Sequence, residues 1–122
     1  MPLRFLLDEN LRGAMWDALQ HHNARGWYPV DVLRVGDPPA PPLQTTDPDL
    51  LLWAEHTDRI LVSLDKNTMP GHLADHLRAG RHSPGVFLVR LDSTPARAAS
   101  FVVAAAHASD AADWQDQFRH IP

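Results

Sequence analysis

Short apolar runs punctuate this chain, and two of them stop at a carboxylate followed two residues later by an amide. Leu3-Arg4-Phe5-Leu6-Leu7 leads into Asp8-Glu9-Asn10, and Ile60-Leu61-Val62-Ser63-Leu64 leads into Asp65-Lys66-Asn67. Pro29 to Val35 alternates, and Val86-Phe87-Leu88-Val89 is apolar throughout. Runs of this length predict strands at 3–8, 29–35, 60–65 and 86–89. Helical periodicity fills the gaps. Leu11, Ala14, Met15, Ala18 and Leu19 form one stripe and predict a helix over about 10–22. Asp47-Pro48-Asp49 is a strong helix start, and that helix should run to about 57. Pro70-Gly71 precedes a short helix at about 71–79, closed by Gly80. Thr94-Pro95 opens a last one, with Ala98, Phe101, Val102 and Ala105 on one face. The segment from Trp114 to Ile121 can add an edge strand, and the Pro-rich stretch 36–42 reads as a stiff surface loop.

Strands alternating with helices argue for an α/β fold, a mostly parallel central sheet flanked by helices in three layers. The 122 residues fit a single domain, 1–122, and the apolar and charged fractions of 44% and 21% are those of an ordinary globule. No apolar run reaches membrane-spanning length and no signal peptide is visible, so a cytoplasmic protein without membrane contact is expected. Without cysteine there is no thiolate metal site. The net charge is −4, with 13 Asp, 2 Glu, 10 Arg and one Lys, which excludes the broad positive field of a non-specific nucleic-acid binder.

A carboxylate at the end of a parallel strand lies on the sheet's carboxyl edge, where ligands and metals bind. Asp8 and Asp65 become neighbours if their strands are adjacent. A third acid should come from a helix start above the same edge, and Asp47 and Asp49 are the candidates. Several convergent carboxylates suit Mg2+ or Mn2+, which prefer oxygen donors. Such a site can cut a phosphodiester.

Phe5-Leu6-Leu7-Asp8-Glu9-Asn10-Leu11, Asp47-Pro48-Asp49-Leu50-Leu51-Leu52-Trp53-Ala54 and Arg59-Ile60-Leu61-Val62-Ser63-Leu64-Asp65-Lys66-Asn67 together resemble the PIN-like proteins. More narrowly, they resemble a compact bacterial PIN-like family of uncharacterised function, related to the toxin nucleases of toxin–antitoxin pairs. The resemblance spans roughly residues 3–90. It implies a PIN-like fold and a Mg2+- or Mn2+-dependent ribonuclease site with Asp8, Asp47 and Asp65 as the catalytic, metal-holding acids. Asn10 and Asn67 would support metal or water. It also implies RNA as substrate, with an antitoxin protein or a second copy of the chain as candidate partners. Two positions depart from the pattern. The second acid is Asp47 at a helix start where many PIN nucleases carry a helical Glu, and Asn67 stands where they often carry a further acid.

Simpler roles exist for each residue. Asp8 can cap a helix, Asp65 can hold a turn, Asp47 can initiate its helix, and Asp49 and Glu9 can be solvated first-turn acids. His72 and His76 share a helix face at i, i+4, as in half a zinc site, without a third ligand at a recognised spacing. Trp16, Trp27, Trp53 and Trp114 read as core or interface. Arg12, Lys66, Arg78 and Arg81 are surface cations, and Arg12 and Lys66 are candidates for substrate phosphate. Two other functions fit parts of the pattern. A phosphoacceptor receiver domain would use the acids Asp8, Glu9 and Asp65, but requires a lysine at the end of a later strand. A PIN-like scaffold poor in acids would be a non-catalytic binding module.

Overall fold

The structure, a computed structural model, describes residues 2–11 and 13–122; Arg12, a candidate phosphate contact, lies outside the described residues. Five strands, β1 (Arg4–Leu7), β2 (Asp31–Arg34), β3 (Ile60–Ser63), β4 (Val86–Val89) and β5 (Phe118–Ile121), form one sheet in the order β2-β1-β3-β4-β5. Every neighbouring pair is parallel. The helices α1 (Ala14–Ala24), α2 (Asp47–Thr57), α3 (Met69–Arg78) and α4 (Pro95–Ala108) make the crossovers, and the short α5 (Ala111–Trp114) precedes β5.

The continuous apolar runs are explained by burial on both faces, as parallel sheets require. Phe5, Leu7, Ile60, Val62, Phe87 and Val89 face Met15 and Leu19 of α1 and Ala98, Val102 and Ala105 of α4. Leu6, Leu61 and Val86 face Leu50 and Leu51 of α2 and Met69 and Leu73 of α3. The result is a three-layer α/β/α sandwich. Phe87 centres the first face, with its ring 5.7 Å from those of Phe5 and Phe101 and 4.9 Å from Trp114. At the amino edge the buried Arg59 stitches three strands. Its guanidinium donates to the Phe5 carbonyl at 3.0 Å and pairs with Asp31 at 2.9 Å.

Several boundaries differ from those read in the sequence. The segment after β1 is not one helix from residue 10. Asp8 first ties down Asn10, Glu9–Leu11 forms a 3-10 turn, and α1 starts after Gly13. The third strand stops at Ser63, because the Asp65 side chain turns the chain at once into α3. The Pro-rich stretch has neither helix nor strand, yet Ala40 and Pro41 are buried, and Ala40 belongs to the core beneath α2. The tail does form the edge strand, β5. Among the described residues no helix is long and apolar enough to cross a membrane.

Candidate functional site

The order 2-1-3-4-5 puts the topological switch point between β1 and β3, where crossovers leave to opposite faces and a crevice opens at the carboxyl ends. Asp8 and Asp65 follow these two strands. Leu7 is in register with Val62, so Asp8 lies beside Ser63, and the Asp8 N–H continues the ladder to the Val62 carbonyl at 3.0 Å. Asp8 is only 5% exposed. Its carboxylate accepts the Asn10 N–H at 3.0 Å and the hydroxyl of the fully buried Ser63. Burial pushes its pKa above the ordinary carboxylate range, outweighing both hydrogen bonds, and the charges of Asp47 and Glu9 push the same way.

Asp65 is held by the same local device. One carboxylate oxygen accepts the main-chain N–H of Asn67 at 3.0 Å and of Thr68 at 2.9 Å, and the other accepts the Thr68 hydroxyl. These bonds, the hydroxyl's foremost, keep Asp65 below the usual carboxylate range. Its own N–H donates to the Ser63 hydroxyl at 3.0 Å. Ser63 therefore connects the two strand-end acids, giving its proton to one and receiving an N–H from the residue that carries the other.

Asp47 comes from α2, and it does more than start that helix. Thr46 takes the N-cap position, and the half-buried Asp47 carboxyl hydrogen-bonds to Asp65. Burial, then the Asp65 charge, raises its pKa, while His72 of α3, 3.9 Å away, pulls it down. The contact between the two carboxyls thus raises the pKa of Asp47 and lowers that of Asp65. Asp49, two residues further along α2, is exposed.

The structure therefore draws Asp8, Asp47 and Asp65 together at one strand-end crevice, with the negative charge in excess. Glu9 belongs to this cluster as well. Its charge acts on both Asp8 and Asp47, and its side chain accepts the Gln44 N–H at 3.1 Å, tying the β1 turn to the loop before α2. Ser63 and Thr68 complete the set, and neither was singled out from sequence. The signal for Ser63 was present: it is the one hydroxyl inside an apolar run, in register with the residue after β1. Thr68 had no such signal.

Asn10 and Asn67 act through their backbone N–H groups, and both side chains are exposed. Lys66 is exposed on the same edge. His72 and His76 go to opposite ends of α2. His72 reaches Asp47, whereas the buried His76 lies 3.0 Å from Glu55 and 2.9 Å from the His82 carbonyl, so the pair forms no half-site. Arg81 also joins Glu55, and Arg78 pairs with Asp75 on its own helix. Trp16, Trp53 and Trp114 pack on the core, and Trp27 is 74% exposed.

The donor set suits a hard divalent cation chemically. Asp47 is hydrogen-bonded to Asp65 and its charge acts on Asp8; burial and neighbouring acids raise the pKa of Asp8 and Asp47, and a cation would relieve that repulsion. As the side chains stand, no group of three His, Asp or Glu among the described residues already forms a chelating set. The reason is local: Asp65 spends both oxygens on its turn, and Asp8 is turned toward Ser63 and Asn10. No protein-family model, no curated protein and no solved structure matches the chain.

Proposed function

We propose that this chain is a ribonuclease of PIN-like type that depends on Mg2+ or Mn2+, with a place as the toxin of a toxin–antitoxin pair. The observation that carries the reading is the Asp47–Asp65 hydrogen bond beside buried Asp8, at the switch point of a parallel sheet. Asp8, Asp47 and Asp65 would hold the cation. When bound, such an ion lowers the pKa of a water ligand and offsets charge on a leaving oxygen. The chain's own residues prepare for this. Ser63 orients Asp8, Thr68 and the Asn67 N–H fix Asp65, and Lys66 offers a positive charge to substrate phosphate.

Titration with Mn2+, followed by thermal unfolding and by cleavage of a single-stranded RNA, tests the reading. Mn2+ should raise the melting temperature and support cleavage. Asp47→Asn should lose both, with the rate falling at least a hundredfold. No shift and no cleavage in the parent chain would end it.

One observation favours a second reading, a non-catalytic binding module. Asp8 and Asp65 already have hydrogen-bond partners, so both can serve as structural turn residues. Mn2+-independent melting together with binding of a partner protein would select it. The receiver reading gains from the strand order, which receivers share. It loses on the later strand ends, where β4 is followed by Arg90 and β5 by Pro122, and the one lysine, Lys66, adjoins the acid itself.

A further inference from the structure

The acid cluster occupies the α2/α3 side of the carboxyl edge. On the α1/α4 side of the same edge lies a cavity of about 290 Å3. Its walls come from the turn after β1 (Asn10, Leu11), the residue after β3 (Leu64), the start of α1 (Ala14, Met15) and the loop that carries Leu91. Two features connect it to the acids. Asn10 lines the cavity while its N–H binds the Asp8 carboxylate, and Leu64 lines it one residue before Asp65. The walls are mainly apolar, with Asn10, Ser93 and Arg90 as polar groups and no acidic side chain.

Leu91 lines the cavity. It is 73% exposed, among the most exposed large apolar side chains of the chain. Leu91 also lines a second depression of about 290 Å3, which shares Leu64 and Arg90 and adds Lys66, Asp92 and His120. Arg90 and Lys66 have no ion-pair partner among the described residues. A mainly apolar cavity with a few hydrogen-bonding groups, Arg90 and Lys66 among its own and the adjoining lining, and carboxylates next door matches a nucleotide. It offers one ring apolar walls, its edge an amide and a hydroxyl, and its backbone a guanidinium. A volume of this size admits one heterocycle and excludes a base held in a duplex.

We propose that the cavity beside Leu91 is a base-binding subsite for single-stranded nucleic acid, with Arg90 on the adjoining backbone. The base sits on the α1/α4 side while its phosphate is laid across the strand ends toward Asp8, Asp47 and Asp65. The phosphate's placement rests on the ribonuclease reading; the base pocket stands on the cavity alone.

The test is fluorescence anisotropy of the full chain with a labelled 2′-O-methyl RNA pentamer, which resists cleavage, and with the same pentamer lacking its central base. Each is titrated in EDTA and in Mn2+. The intact pentamer should bind about tenfold more tightly than the abasic one in both buffers, within the range a single buried base contributes. Leu91→Ser removes an apolar lining side chain, and Ala14→Phe fills the cavity from an exposed helix position. Each should abolish that preference and leave the Mn2+ melting shift unchanged. Equal affinity for intact and abasic strands, or parental preference in both variants, overturns the subsite. Binding of neither strand also overturns it and leaves the cavity to a protein side chain. If Mn2+ gives neither shift nor cleavage while the base preference and its loss in Leu91→Ser persist, the nuclease reading fails and the subsite stands.

Discussion

At the residue scale the decisive group is Asp8. A carboxylate sealed at a strand end is disfavoured unless hydrogen bonds or a counter-charge compensate. Here the Ser63 hydroxyl and the Asn10 N–H compensate in part, and burial prevails. The consequence for stability has a definite sign. Because the folded pKa is raised, the contribution of Asp8 is full below the ordinary value of 3.8 and is lost as pH rises through the folded pKa. Asp8→Asn keeps the shape and removes the charge. In metal-free buffer the variant should therefore melt above the parent at pH 7.5, and the gap should close as pH falls toward 4. A variant that melts lower at every pH would mean that the Ser63 and Asn10 bonds need the charge. This residue was legible in the sequence as the polar end of an apolar run. Its bond to Ser63, and the Asp47–Asp65 pair, were not, because both depend on which strands become neighbours and how α2 returns over the edge.

At the scale of elements, strands were the easiest to read. Burial on both faces leaves an uninterrupted apolar signature, so β4 fell at residues 86–89 as its sequence suggested. The start of α4 followed its cap: Thr94 receives the Arg97 N–H at 3.1 Å. The break before α1 was hidden because its apolar stripe runs on through Leu11, whereas the Asp8 carboxylate holds the Asn10 N–H and α1 starts after Gly13. Gly85 shows what an element junction demands. It opens β4 at φ +126°, and a Cβ there would lie 2.7 Å from the Trp114 carbonyl oxygen of α5. That oxygen is main chain and accepts the Gln117 N–H, so it cannot yield easily. Gly85→Ala combines a strained φ with an overlap and should destabilise by about 1–3 kcal/mol. The check is a lower urea midpoint with an unchanged m-value.

Across the whole molecule, the two ends of the sheet hold their charges differently. The amino edge pairs Arg59 with Asp31, Arg81 with Glu55 and His82 with Asp116. At the carboxyl edge Arg34 pairs with Asp37, while Asp8, Asp47 and Asp65 crowd together. The His82–Asp116 pair, with the Ser83 N–H donating to Asp116 at 2.8 Å, fastens the turn before β5 to the start of β4. The hydrogen bond and charge of Asp116 raise the His82 pKa. Asp116 is lowered: burial opposes this, but the bonds from Ser83 and His82 outweigh it. Its contribution is thus present between about pH 4 and 6.5, fading above as His82 loses its proton and below as Asp116 gains one. Amide exchange in β5 should be better protected at pH 6 than at pH 8 after correction for intrinsic rates. His82→Gln should show no such difference.

The paired turns at Asp8 and Asp65 also bear on how such a chain can change over time. Each acid is locked by the main chain two residues onward, so the lock is indifferent to the side chain at positions 10 and 67 and forbids only proline there. Mutation can therefore add or remove a charged group at either position without disturbing the carboxylate beside it. The charge of the crevice is adjustable one letter at a time, on a frame that stays still.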